Sequence, residues 1–172
     1  MLGKVFAASS FKLFKGKVME SINIKKMLHQ RGPYLMVSEV LSIDPTSIHT
    51  RKVHNGEEAH LKGHFPGAPV VPGAMLQEIC TQSAGVFLTK YFSPIENYDS
   101  NLTKGHALGV LNKVNYAKYL AIVKPDHPIE AKIQLIHQEG PLFKFRAKVF
   151  QKDVLKAKLS FNLMNISDEL LQ

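Results

Sequence analysis

The sequence predicts an α+β domain in which one long helix covers an antiparallel sheet of five or six strands. Two observations carry this. Three stretches in the C-terminal third alternate apolar and polar residues with a period of two, which is the pattern of a half-buried antiparallel strand. A single long apolar run at helical spacing follows Pro72-Gly73, and it is the only segment large enough to cover the dry face of such a sheet.

In chain order, residues 21–28 read as a short helix capped by Ser21 or Asn23 and stopped by Gly32-Pro33. Tyr34 to Ile43 is apolar and β-branched enough for a strand, and Asp44-Pro45 begins a turn. Ser47 to His54 forms a second strand before the Asn55-Gly56 turn signal. Residues 63–73 carry too many Gly and Pro for regular structure. The helix then runs to about Tyr91, with Met75, Leu76, Ile79, Cys80, Val86 and Phe87 spread over more than one stripe, so it is expected to be buried on most sides. Residues 93–106 are loop-like, and a further strand is expected through Gly109 to Val123. The three alternations are Ile129 to Leu135, Phe143 to Val149 and Leu155 to Leu163, with Gln151-Lys152-Asp153 as the last hairpin turn. The boundaries expected are a basic extension at 1–20, one domain at 21–166 and a tail at 167–172.

The 172 residues suit one domain with a sizeable core. The single cysteine, Cys80, excludes an intrachain disulfide and suits a reducing, cytoplasmic compartment. No apolar run approaches the roughly 20 residues of a membrane span, so stable membrane insertion is not expected. The formal net charge of +8 favours an acidic partner. Nucleic acid is disfavoured: the chain has three arginines, Arg31, Arg51 and Arg146, and no basic patch interleaved with stacking aromatics. The lysines on the strand faces (Lys144, Lys148, Lys156, Lys158) read most simply as a solvated surface. Met1 to Met19 holds four lysines and no acidic residue, interleaved with apolar side chains. A structured extension, an organelle-targeting peptide or a membrane-surface helix could each look like this.

The chemistry concentrates in Gly63-His64-Phe65-Pro66-Gly67-Ala68-Pro69-Val70-Val71-Pro72-Gly73 and the helix that follows. His64 is a natural base near neutral pH. Gly73 sits where a helix start presents free N–H groups able to polarise a carbonyl. Glu78 lies in an otherwise apolar helix, an environment that raises a carboxyl pKa and suits a general acid. Base, acid and carbonyl-polarising amide are what proton abstraction next to a carbonyl with loss of a β-hydroxyl requires. Other chemistries fit less well. His60 and His64 have helical zinc spacing, but Gly63 and Pro66 argue against a helix there, so no metal is expected. Ser83 lacks the surroundings of a nucleophile elbow, no phosphate loop or dinucleotide fingerprint is present, and Cys80 reads as a core residue.

His-Phe-Pro-Gly-x-Pro-x-x-Pro-Gly, with Glu fourteen residues after the His, resembles the 3-hydroxyacyl-[acyl carrier protein] dehydratases of dissociated fatty acid synthesis. Gln82 and Ala84-Gly85 continue the match. Arg31 to Val37 is similar to that family's Arg-x-Pro-Phe-Leu-Leu-Val strand, and Asn115 to Tyr119 through Pro125 to its Asn-Ala-(Arg/Lys)-Phe…Val-x-Pro-Gly-Asp segment. This chain departs from the pattern at Ser38, His60-Leu61 and Asp126-His127. The resemblance implies a hotdog fold, a curved antiparallel sheet wrapped round a long central helix. It implies dehydration of a (3R)-3-hydroxyacyl chain on an acyl carrier protein, with no cofactor. His64 is the base, Glu78 the acid and the Gly73 amide the carbonyl contact, supported by Phe65, Pro72 and Gln82; Gln82 could orient the catalytic groups or bond across subunits. It further implies a homodimer whose sites pair His64 of one chain with Glu78 of the other, as in relatives that assemble as trimers of dimers. Lys113, Lys118 and Lys124 are the expected carrier contacts. A hotdog thioesterase, in which Glu78 activates water, and a catalytically silent carrier-binding subunit are the alternatives.

Overall fold

A computed structural model describes residues 22–102 and 107–166. The expected extension at 1–20 and tail at 167–172 lie outside the described residues. The element order is α1 (Ile24–Met27), β1 (Glu39–Asp44), β2 (Ser47–Lys52), α2 (Ala59–Lys62), α3 (Gly73–Phe92), β3 (Ala107–Tyr119), β4 (Ile129–Glu139), β5 (Leu142–Gln151) and β6 (Val154–Ile166). The strands form one antiparallel sheet in the order β1-β2-β4-β5-β6-β3, so β3 crosses over to the far edge and pairs with β6.

Helix α3 lies against the inner face of the sheet. Every residue from Ile79 to Thr89 is buried, as expected of a helix with apolar side chains on several faces. Phe87 meets Phe145 edge to face at 5.9 Å, and Phe145 stacks on Phe161 at 5.7 Å, joining helix to sheet at the centre of the core. The buried hydroxyls in the helix are satisfied: Ser83 Oγ donates to the Ile79 carbonyl and lies 2.7 Å from Thr50 Oγ1. Close approach of α3 to β3 depends on Gly109, whose φ of +83° and lack of a side chain leave room for Leu88, Leu163 and the Gly85 backbone.

The three alternations become β4, β5 and β6. The last hairpin turns at Lys152 and Asp153, both at positive φ as a tight two-residue turn demands. Several boundaries differ from expectation. β2 ends at Lys52 instead of His54, and β3 runs from Ala107 to Tyr119 instead of from Gly109 to Val123. Helix α1 ends at Met27, well before Gly32-Pro33, because Leu28 is already extended. The first strand starts at Glu39, since the segment after Tyr34 is held by the side chains of Gln82 in α3 and Lys52 in β2 instead of by a regular backbone ladder. The one-turn helix α2 stands between the Asn55-Gly56 turn and the Gly/Pro-rich loop, where no helix was expected. It contains His60 but stops at Lys62, so His60 and His64 never share a helix.

Candidate active site

The loop from Gly63 to Pro72 is pinned at its far end, where the Val71 N–H donates to the Val123 carbonyl. Phe65 holds a φ of +56°, a conformation uncommon outside glycine, and lays its exposed ring against His64 at 4.3 Å. His64 Nδ1 lies 2.9 Å from the Val70 carbonyl oxygen. A carbonyl only accepts, so Nδ1 carries the hydrogen in the neutral ring and Nε2 keeps the basic lone pair. His64 lines a cavity of about 420 Å³ together with Gly73, Leu76, Tyr119, Ile122 and Val123, an apolar wall with one base in it.

Pro72 caps α3 through its carbonyl, which accepts the N–H groups of Met75 and Leu76. Gly73 is therefore the first helical residue, where an N–H has no acceptor within the helix. The Tyr119 ring lies directly over it: a Cβ added at Gly73 would stand 3.1 Å from Tyr119 Cζ. Gly73→Ala is therefore expected to fold, because alanine favours the helix, yet to push Tyr119 into the cavity. The expected cost is a ~10-fold loss of kcat/KM from the displaced amide and ring, partly recovered in Gly73→Ala/Tyr119→Leu. Unchanged turnover in the single variant would show that the position of the Tyr119 ring does not matter to the reaction.

Glu78 follows Gly73 by five residues, about 140° around the helix, so its side chain leaves a different face. Its surroundings are not the apolar ones expected from the sequence. The carboxylate accepts from Gln82 Nε2 at 2.8 Å and from Thr81 Oγ1 at 3.2 Å. Tyr34 lies beside it, and its phenol is pushed up by burial first and by the Glu78 charge second. Gln82 donates its other amide hydrogen to the Tyr34 carbonyl at 2.7 Å and accepts the Met36 N–H at 2.7 Å. Gln82 thus works within its own chain, holding Glu78 and the segment ahead of β1 in one network. No hydrogen bond joins His64 to Glu78 within the chain among the described residues.

Of the expected docking lysines, Lys113 and Lys118 are exposed on β3. Lys124 is exposed just beyond the cavity wall, with its backbone held by the Gln151 amide. Tyr34 and Tyr119 were not singled out from the sequence. An aromatic directly after Pro33, and another closing the Asn115 to Tyr119 match, were the available signals. Cys80 is fully buried, and burial pushes its thiol up, which leaves it inert.

Behind the loop, His54 and His60 meet edge to face at 5.7 Å, next to a buried Lys52–Glu58 pair at 3.5 Å. Burial, and then the Lys52 charge, push His54 down from 6.5 to about 4; Glu58 opposes this and His60 adds to it. The unfolded chain takes up this proton first, so stability is full above pH 6.5 and falls as pH drops toward about 4. Urea midpoints measured over that window are expected to fall less steeply in His54→Leu than in the parent. Parallel curves would remove His54 from the acid response.

A protein-family model described as ApeI dehydratase matches residues 41–159. Among curated proteins, the chain is 28% identical over 155 residues to the 3-hydroxyacyl-[acyl-carrier-protein] dehydratase FabZ of Campylobacter concisus, covering 86% of this chain and 97% of that one. It is 32% identical over 142 residues to the protein of the same name from Protochlamydia amoebophila, covering 80% of this chain and 85% of that one. Among solved structures, it aligns with the dehydratase heterocomplex ApeI:P from Xenorhabdus doucetiae at a TM-score of 0.74 and 13% identity, over 88% of this chain and 96% of the other. A hypothetical thioesterase from Streptococcus pneumoniae, solved with coenzyme A, aligns at a TM-score of 0.54 and 16% identity, over 75% and 85%. These likenesses agree with the expected hotdog fold.

Proposed function

The chain belongs to the ApeI-like dehydratase family, and from that premise we propose that it dehydrates (3R)-3-hydroxyacyl-acyl carrier protein to the trans-2-enoyl thioester in type II fatty acid synthesis. The observation that carries this reading is the His64 tautomer: Val70 fixes the hydrogen on Nδ1, and Nε2 is left as the base of an apolar cavity that also holds the start of α3. The C2 proton passes to His64 Nε2. The C2–H electron pair moves toward the thioester carbonyl, and the Gly73 N–H receives the developing charge on its oxygen. As the C2=C3 bond forms, the C3–O bond breaks and Glu78, which enters this step holding a proton and is oriented by Gln82 and Thr81, supplies the proton that lets the hydroxyl leave as water. Proton return from His64 to Glu78 through solvent resets the site.

We propose that each site is shared between two copies. Glu78 leaves a different helical face from the cavity of its own chain. In addition, the free edge strand β3 exposes Val110, Leu111, Val114, Tyr116 and Tyr119, an apolar edge that a second copy would cover. A dimer built on β3, extended to a trimer of dimers, is the assembly proposed, working in the cytoplasm. No helix among the described residues is long and apolar enough to cross a membrane. Mass spectrometry of 3-hydroxyacyl-carrier substrates after incubation tests the reaction. Loss of one water supports dehydration, whereas free acid would transfer the site to a thioesterase and an unchanged panel to a silent subunit.

A further inference from the structure

Tyr34 brings a phenol to the acid of the site. Its backbone is held at both ends: the N–H donates to the Arg31 carbonyl at 2.8 Å, and the carbonyl accepts from Gln82 Nε2 at 2.7 Å. The same Gln82 nitrogen donates to Glu78 Oε1 at 2.8 Å, so one side chain fixes the Tyr34 backbone and the carboxylate relative to each other. The ring is half exposed, and its hydroxyl hydrogen-bonds to Glu78. Burial first, then the Glu78 charge and this hydrogen bond, push the phenol up, so it stays a donor. All of these contacts lie within one chain and do not depend on the assembly.

The other partners of the carboxylate leave that donor something to do. Gln82 serves Oε1 with a neutral amide. Thr81 Oγ1 has one hydrogen and divides it between Oε2 at 3.2 Å and the Glu78 carbonyl at 3.1 Å. No cation forms an ion pair with Glu78 among the described residues. The charge left on Glu78 after it gives up a proton is therefore met by neutral donors alone, and a phenol is more acidic than an amide or an aliphatic hydroxyl, hence the strongest of the three. The Arg-x-Pro-Phe segment that Arg31 to Tyr34 resembles has Phe at this place. The ring belongs to that pattern, and the hydroxyl is this chain's own addition.

We propose that Tyr34 is a positioning residue for the acid step, its hydroxyl steadying the Glu78 carboxylate that forms as the proton passes to the leaving group. The inference rests on the dehydratase reading and deepens it. In that step the Glu78 O–H bond breaks, its proton joins the C3 hydroxyl oxygen, and water departs with the C3–O electron pair. The negative charge stays on Glu78, and the phenol keeps its own proton throughout. The hydroxyl acts on the leaving group and not on the C2 proton, which belongs to His64.

The test is Tyr34→Phe in the full chain, which keeps the ring and removes one oxygen. With a short 3-hydroxyacyl thioester, kcat is expected to fall ~10-fold at little-changed KM, the size of one hydrogen bond to a charged group. The matching 3-chloroacyl thioester eliminates chloride, which leaves without a proton. Its turnover is expected to be equal in parent and variant, which also establishes that the variant folds, whereas His64→Ala should slow both substrates. In a Glu78→Gln background, Tyr34→Phe should cost nothing further, because no carboxylate remains to receive the hydroxyl. Parental kcat on the 3-hydroxyacyl substrate would overturn the proposal. So would equal losses on both substrates, or a ~10-fold loss that persists in Glu78→Gln. If the parent dehydrates no 3-hydroxyacyl thioester, the reaction reading has failed instead. Ultraviolet titration of tyrosinate then decides the contact directly, with Tyr34 identified as the ionisation missing from Tyr34→Phe. A Tyr34 titration that falls toward the usual tyrosine range in Glu78→Gln supports the pairing, and an unmoved one overturns it.

Discussion

His64→Ala and Glu78→Gln are each expected to lower turnover of a 3-hydroxyacyl thioester by about 10²–10⁴-fold while leaving the far-ultraviolet circular dichroism unchanged. His64 sits on a loop and hydrogen-bonds to Val70 of that same loop, and Glu78 is partly exposed, so neither substitution opens the core. The shared-site arrangement adds a sharper expectation. In a heterodimer of the two variants, one site carries both lesions and the other carries neither. Random exchange should therefore restore roughly a quarter of the parental activity, because half the dimers are mixed and half their sites are intact. Near-parental turnover by either folded single variant would refute its catalytic assignment. Heterodimers that stay inactive would place base and acid in one chain.

The second large effect is expected at Gln82. Its side chain is 2% exposed and serves three partners, the Glu78 carboxylate, the Tyr34 carbonyl and the Met36 N–H. Gln82→Leu keeps the volume but leaves the Met36 N–H and the Tyr34 carbonyl without that partner, at a cost of about 2–3 kcal/mol. The same substitution frees the Glu78 carboxylate from its tether, and a misplacement of about 1 Å is enough to lower kcat by ~10²-fold. Thermal unfolding reads the first effect. The second is read by kcat at saturating substrate, at a temperature where the variant is fully folded. A variant with parental melting and parental kcat would show that the network positions nothing.

What was legible in the sequence is what leaves a local trace. The period-two stretches yielded β4, β5 and β6 because each strand has one face on α3 and one in water. The Gly/Pro loop was legible because backbone restriction is written in consecutive positions, and His64 and Glu78 were legible as candidates because a short continuous motif joins them. Helix α2 escaped notice because four residues are too few for a periodic signal. The crossover of β3 to the edge beside β6 is a tertiary choice with no sequence marker. The pairing of His54, expected at a strand end, with His60, weighed only as a zinc ligand, was not legible, since the fold alone brings the two rings together beside Lys52 and Glu58.

The crossover also sets the order in which a growing chain can be completed. α3 and β3 leave the ribosome earlier, but among the described residues the partner strand of β3 is the last element made. At roughly 5–20 residues per second, several seconds separate Tyr119 from Ile166. For that interval, the apolar helix lacks much of its cover and a thirteen-residue strand has both edges open. The newly made protein is thus a client for whatever shields nascent chains. A stop codon early in residues 154–166 removes the strand that takes β3 into the sheet, so among the described residues it is β6 that commits the fold.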